Sequence, residues 1–379
     1  MKEQYGKISI KAGSDAAKLI AQLGSRNKNE SLAAQESFAA FMGPVIQQVV
    51  EQAPVVGNLY ASDTYAEGTA PSVPLDVYYD VKDRNFINVW TQSIAGGLAT
   101  SEVRGLDELF LNTYTLDTAV SMKKKYAREA RVNVVAATMN RVAQEILVKQ
   151  EINAANILLK AIADAQFDSD EDGVIDTRQV LRAATAGSFG MDDINRLFTL
   201  AARTKPSWFG GTPVGGSQGI THLLVSPEIV ESIRAIAYNP VNTKAVPNTD
   251  ESTVLAATDS VRNGVWNLAG TPSFFGVELV VAYEMGKGRR YNKVFAKYAA
   301  STSYAGSAFT QANEQIIVGL NLAGTNPLVK LSEAGAEGQT FSLSPDDQFL
   351  NRQDTIGFYG STREGRAILD SRGLVGLIS

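Results

Sequence analysis

From Lys124 to Gln166 the chain runs without a proline or a glycine, and this stretch decides most of what it can fold into. As a continuous helix it would reach about 60 Å, longer than an ordinary globular core accommodates. Val135, Met139, Val142 and Ile146 recur on one helical face, whereas Val148, Ile152, Ala155, Leu159 and Ile162 fall on nearly the opposite face. Arg141, Glu145 and Lys149 make a polar row at i,i+4 spacing. A coiled coil keeps its seam along its length, so the pattern predicts a beam that buries one side at its start and the other at its end. Two helices broken near Lys149 are the alternative.

Around this beam the pattern is mixed. Residues 1–29 are polar and read as an extended arm. Residues 30–54 read as an amphipathic helix with Leu32, Phe38, Phe41, Val45 and Val49 on one face, kinked by Pro44 and stopped by Pro54. Between 55 and 105, short alternating runs such as "VPLDVYYDV" and "NFINVW" are punctuated by Gly, Pro, Thr and Ser, as in a long β excursion. So long a segment without a helical pattern, inside a compact domain, projects and packs on something else. A strand is expected at 109–122, a short helix at 191–203, and a strand–turn–helix in "ITHLLVSPEIVESIRAIA". "FFGVELVVAYEMG" and "YNKVFAKYAA" read as paired strands around the turn "GKGRR", "EQIIVGLNLAG" as a strand, and the last residues as glycine-punctuated strands.

Composition removes several classes of chemistry. The chain has no cysteine and one histidine, His222, so thiolate and His/Cys zinc sites cannot form. His222 lies in an apolar strand-like run, where a structural role is the simpler reading. Its net charge of −5 disfavours sequence-independent DNA binding, which needs a cationic surface. The clusters Lys123–Lys125 and "KGRR" (287–290) read as solvated surface. There is no phosphate loop, nucleophile elbow or HExxH motif. The pairs Asp192–Asp193 and Asp346–Asp347 are explained by capping and helix dipoles. No enzymatic activity is expected. With no apolar leader and no run of membrane-spanning length, the protein is expected to be soluble and intracellular when made.

One stretch does suggest a ligand. In "FDSDEDGVID" (167–176), Asp168, Asp170 and Asp172 alternate before Gly173, as in a twelve-residue calcium loop. Val174 would offer its carbonyl, and Asp176 would bind directly or through water. Position twelve, normally a bidentate carboxylate, is Gln179. A long helix enters the loop, and "TRQVLRAA" would start the second helix of such a motif. An acidic surface turn and a weak structural calcium site both fit these residues, and no cofactor is required.

The order of elements (arm, amphipathic helix, β excursion, return strand, beam helix, mixed α/β unit) resembles that of the major capsid proteins of tailed bacteriophages, the HK97-like fold. "VSPEIVESIRAIA" looks like the family's axial-domain strand–turn–helix. "GTPSFFGVELVVAYEMGKG" is similar to its glycine–strand–exposed-turn segment, and "TIGFYGSTREGRAILDSRGLVG" to the carboxy-terminal strands of large-capsid members. The resemblance implies an α+β fold with an N-arm with amphipathic helix at 1–54 and a β E-loop at 55–112. It implies a peripheral domain at 113–205 around a spine helix at 124–166, and an axial α/β domain at 206–344. Residues 345–379 would return to the peripheral domain.

The implied function is structural: self-assembly into hexamers and pentamers that form an icosahedral shell around phage DNA, held without sequence-specific contact. The implied partners are copies of the chain, a portal, a separate scaffolding protein and decoration proteins, with no membrane. The implied location is the virion, after synthesis in the host cytoplasm. The arm is expected to be too short to include a fused scaffolding domain, so that scaffolding would be a separate protein or unnecessary, and no residue matches a cross-linking motif. An encapsulin-type compartment shell and a calcium-dependent adhesion module are the alternatives.

Overall fold

The structure, a computed structural model, describes residues 15–25, 27–52, 55–74, 108–128, 132–167, 177–185, 187–204, 219–238, 273–274, 276–323, 326–335, 338–346, 355–369 and 371–379. In chain order the elements begin with α1 (Asp15–Leu23), α2 (Lys28–Gln52), β1 (Ala61–Ala66), β2 (Ser72–Pro74), β3 (Glu108–Phe110) and β4 (Tyr114–Lys123). Next come α3 (Lys124–Arg128), α4 (Val132–Asp164), β5 (Gln166–Phe167), β6 (Thr177–Arg178), β7 (Val180–Arg182) and α5 (Met191–Arg203). They continue with β8 (His222–Val225), α6 (Pro227–Tyr238), β9 (Ser273–Phe274), β10 (Val277–Val281), α7 (Arg290–Tyr298), β11 (Ser303–Tyr304) and β12 (Ser307–Ala308). The last are β13 (Ile316–Leu320), β14 (Leu328–Ala334), β15 (Ser342–Asp346), β16 (Thr355–Ile368) and β17 (Leu374–Ile378). The fold is α+β, and the chain divides into two compact units. Unit 1 is 1–71, 110–154 and 329–367; unit 2 is 72–109, 155–328 and 368–379.

Unit 1 is built on a five-stranded sheet in the order β1–β14–β16–β15, with β4 also on β16. β4 and β15 pair antiparallel with the same residues of β16, so they flank it. The inner face of β16 is buried throughout and changes character along its length: Ile356, Phe358, Gly360, Thr362, then Glu364 and Arg366. Its apolar half shares one core with Ile20 and Leu23 of α1, Phe38, Met42 and Ile46 of α2, and Val135, Met139, Val142 and Ile146 of α4. Phe38 and Phe358 rings meet at 5.5 Å between centroids. Burying this many large side chains, at about 1.5–3 kcal/mol each, is what holds the unit together.

Two expectations for this region are corrected. Residues 15–23 are helical, not extended: a short Ala/Leu/Ile-rich run docks Ile20 and Leu23 onto α2, and the Ser31 hydroxyl donates to the Leu23 carbonyl at 2.9 Å. On α2 the buried face is Ser31, Gln35, Phe38, Met42, Ile46 and Val50, at helical spacing. Leu32, Val45 and Val49 lie at its margins, and Phe41 is 51% exposed.

α4 is buried on one side through Val135, Met139, Val142 and Ile146, then through Gln150 and Ala154, and finally through Ala155, Leu158, Leu159 and Ile162. The buried stripe therefore turns to nearly the opposite face, while Arg141, Glu145 and Lys149 stay exposed. The turn does not pass through Val148, which is 50% exposed. It passes through Gln150, at the level where β16 becomes charged.

Unit 2 is organised by a six-stranded mixed sheet, β7–β17–β13–β8–β10–β9. Its core joins Leu223 and Val225, Val277 and Leu279, Ile317, Val375 and Leu377 to Ile194 and Leu197 of α5 and Ile229 and Ile233 of α6. The Asp193 carboxylate accepts from Gly190 N at 3.2 Å and Ala184 N at 3.0 Å, the capping role expected of it. "YNKVFAKYAA" is helical in α7, not a strand. Tyr291, Asn292, Phe295 and Ala299 are its buried positions, a helical spacing that outweighs the weak alternation. The Asn292 amide donates to Glu314 O at 2.6 Å and its carbonyl accepts from Ile316 N at 3.3 Å, tying α7 to β13.

The divide between the two compact units falls at 154/155, within α4. The carboxy-terminal stretch is shared: β16 completes the unit 1 sheet, while β17 lies inside the unit 2 sheet between β7 and β13. "VPLDVYYDV" and "NFINVW", expected as excursion strands, lie outside the described residues apart from Val73 and Pro74.

Candidate assembly surface

In unit 1, β16, β14, β4 and α4 gather a polar cluster around Glu364, whose side chain is fully buried. Its carboxylate accepts from Tyr114 Oη at 2.6 Å and Gln150 Nε2 at 3.0 Å, with Lys330 Nζ at 3.5 Å and Arg366 Nε at 3.4 Å. The Arg366 guanidinium lies 5.1 Å from the centre of the Tyr60 ring, and Tyr60 Oη donates to Ala154 O at 2.8 Å. Glu151 accepts from the backbone N–H groups of Val56 and Gly57. Burial pushes the Tyr60 phenol above its ordinary value near 10, and burial followed by the Glu364 charge does the same for Tyr114. Both rings therefore stay neutral donors. The cluster fixes the middle of α4 and the segment leading into β1.

The opposite face of the same sheet carries no helix among the described residues. Ala119, Tyr359 and Ser344 stand in register across β4, β16 and β15, and Asp117, Ser361 and Ser342 form the next row. The Ser361 hydroxyl donates to Asp117 at 2.7 Å. That bond, then one from Tyr359, holds the Asp117 carboxyl below its ordinary value. Tyr359 is exposed, as are most residues of β1. β1 and β4 each have one side unpaired among the described residues, and open edges of six and ten residues are templates for another chain's backbone. Phe41 and Val148 expose apolar side chains on the helices of this unit. Beyond β1, the strands β2 and β3 pair with each other, and Leu111 N donates to Pro71 O at 2.9 Å. The chain thus leaves at 74 and returns at 108 through one closed stem, where Phe110 is 65% exposed.

The residues singled out for calcium, Asp168, Asp170, Asp172, Val174 and Asp176, lie outside the described residues. Their flanks are described, and they are not those of a helix–loop–helix site. β5 and β6 pair as a short stem, Gln166 with Arg178 and Phe167 with Thr177. "TRQVLRAA" supplies strands, not a second helix, because Val180 and Leu181 are drawn into the sheet beside β17. Gln179, at the twelfth position, is fully buried, and its side-chain amide faces the carbonyls of Ser371 and Leu374, to which its nitrogen can donate. Among the described residues no group of three acidic or histidine side chains could hold a metal ion.

His222 bridges Thr221 and Glu278, with Nδ1 2.9 Å from the Thr221 hydroxyl and Nε2 3.3 Å from the Glu278 carboxylate. The same hydroxyl accepts from Leu322 N at 2.9 Å and lies 3.1 Å from Leu320 O. It is engaged by the backbone, and the trio latches β8 to its neighbours. Lys124 is buried, against the solvated reading, while residues 287–290 are exposed as expected. No described helix is long and apolar enough to cross a membrane. Nothing in the local residue pattern points to the Glu364 cluster. "TREGRAI" reads as a surface strand of alternating charge, and only nonlocal pairing brings Tyr114, Gln150 and Lys330 to it.

No family profile and no curated protein matches the chain. Among solved structures it is similar to the holo-SrpI encapsulin complex from Synechococcus elongatus PCC 7942, with 12% identity, 84% of this chain and 85% of that one covered, and a TM-score of 0.45. It is similar to the capsid of a native GTA particle, with 14% identity, coverage of 85% and 89%, and a TM-score of 0.47. It is similar as well to the capsid of the cyanophage P-SCSP1u, with 12% identity, coverage of 86% and 88%, and a TM-score of 0.48.

Proposed function

We propose that the chain is a shell-forming structural subunit, a major capsid protein of the HK97-like kind that encloses phage DNA in the virion. The observation that carries this reading is the closed stem of β2 and β3. The stem holds residues 74 and 108 side by side, so the segment between them starts and ends at one place, as an arm reaching for a neighbour would. The strand edges left open and the sheet face left uncovered among the described residues of unit 1 support it. In this reading residues 1–54 are the N-arm, the excursion is the E-loop, α4 is the spine, and hexamers and pentamers close the shell. A portal, separate scaffolding and decoration proteins complete the particle, and the subunit has no catalytic role.

The acidic turn at 168–176 is an accessory of that subunit. If it takes a calcium ion, chelator loosens residues 166–180 in hydrogen exchange and Asp170→Ala does the same; identical exchange rejects the ion.

The test of function is electron microscopy of the purified chain beside a variant in which 75–107 is replaced by a short Gly–Ser link. That deletion spares β1, which pairs with β14. Shells or capsomer rings from the parent, and folded but unassembled subunits from the variant, are expected. Dispersed parent monomers refute the shell reading, and normal shells from the variant refute the role of the excursion.

A further inference from the structure

The turn before α7 and its exposed face form a basic ridge. From Met285 to Asn313 the sequence holds Lys287, Arg289, Arg290, Lys293 and Lys297 and no acidic residue, in a chain with 40 acidic and 35 basic residues. All five are exposed. Arg289, Lys293 and Lys297 are four residues apart, so the helix stacks them on one face about 6 Å apart along its axis. Read as a strand, the same residues would stand roughly 13 Å apart. The helix thus concentrates the charge.

The neighbouring groups do little to neutralise it. Among the described residues the ridge has one ion pair, Arg290 Nε to Glu284 at 4.0 Å, while Lys287 Nζ donates to Gly187 O at 3.1 Å. Glu228 approaches Gly286, behind the turn. Two arginines also stand at the amino-terminal end of α7, whose first turn has no acidic residue. Cations there oppose the helix dipole, so helix stability does not account for them. A local rule broken without a folding benefit marks a residue kept for contact.

We propose that this ridge binds the phosphate backbone of nucleic acid, as a sequence-independent contact between the subunit and the DNA it encloses. The proposal rests on the shell reading for its choice of partner and on the ridge for its chemistry. Evenly spaced, exposed cations suit a repeating phosphate chain, whose contacts position without reading bases.

The probe is a fluorescein-labelled 30-base-pair duplex of mixed sequence, titrated with the unassembled full chain across a salt series. The parent is expected to bind with an affinity that falls steeply with salt. Arg289→Gln/Lys293→Gln/Lys297→Gln, which keeps good helix formers, is expected to weaken binding at 50 mM salt at least about tenfold. It should also reduce the slope of log affinity against log salt by about 2.7. Lys293→Arg/Lys297→Arg should preserve both. An unchanged slope in the triple variant overturns the proposal. So does polyglutamate of equal charge competing as well as unlabelled duplex, which would assign the ridge to acidic proteins. Electron microscopy of the same preparations keeps the two ideas apart: absent parent shells refute the shell reading, whereas normal shells with an unchanged salt slope refute the ridge alone.

Discussion

Glu364 and Arg366 offer the sharpest test of how unit 1 is held together, because both side chains are withdrawn from water on one face of β16. Arg366→Met leaves the carboxylate with Tyr114, Gln150 and Lys330. The remaining cation keeps the cost near the low end for breaking a buried pair, about 3 kcal/mol. Glu364→Leu is worse, about 4–5 kcal/mol, since it strands the Arg366 charge beside the Tyr60 ring and leaves the Tyr114 and Gln150 donors without their acceptor. The double variant removes both buried charges; it orphans the Tyr114 and Gln150 donors and takes one partner from Lys330, which keeps 16% of its side chain in water, at about 1–3 kcal/mol. The singles should therefore couple by at least about 3 kcal/mol in a double-mutant cycle. Hydrogen exchange of peptides from β16 and α4 reads this locally: 3 kcal/mol is roughly a hundredfold faster exchange. If Arg366→Met costs under about 1 kcal/mol, or the double equals the sum of the singles within about 0.5 kcal/mol, the cluster is not a coupled unit.

Three further outcomes follow from the same geometry. Tyr60 has a folded pKa raised above its unfolded value of about 10 by burial, so its contribution is intact below pH 10 and lost as pH rises beyond it, by about 1.4 kcal/mol per pH unit. Tyr114 adds a smaller loss because it is partly exposed; a Tyr60→Phe denaturation series should fall less steeply above pH 10, and an equal slope contradicts the assignment. Val142→Asp and Leu159→Asp, on the two buried faces of α4, should each cost several kcal/mol, while Val148→Asp should leave subunit stability within about 0.5 kcal/mol; equal losses at all three in thermal melts would refute the turned stripe. At Gly360 a Cβ would sit 2.7 Å from the Phe341 ring and 3.0 Å from Thr118 Cγ2, so Gly360→Ala should destabilise unit 1 by about 1–3 kcal/mol, and a neutral result would mean that Phe341 moves freely.

What could be read from the sequence was what repeats locally. The turned stripe of α4, the helix at 191–203 and the strand–turn–helix at 222–238 each follow from side-chain spacing within one element. The stripe was misdrawn only at Val148, because the switch runs through Gln150 and Ala154, residues with little hydropathy signal. α1 was missed because its apolar run is only nine residues long and lies in a polar segment, and α7 because its weak alternation was read in place of the helical spacing of Tyr291, Phe295 and Ala299. The division of the last strands between two sheets was not legible, since partners such as β4 and β13 are chosen by distant backbone. The same holds for the Glu364 cluster. The calcium-like spacing shows the converse: a local pattern was clear, yet Gln179 is committed to the core by carbonyls far along the chain.

The placement of β16 and β17 inside their sheets also dictates an order of events during synthesis. Neither sheet can close until residues 355–378 have emerged from the ribosome, because β4 and β15 meet only through β16, and β7 and β13 only through β17. A nascent chain holding everything before residue 355 has its helices and most of its strands, but no finished surface to offer a neighbour. Nonlocal closure of this kind is slow. On the shell reading proposed above, the delay would keep half-made subunits emerging side by side on one messenger from joining a growing shell.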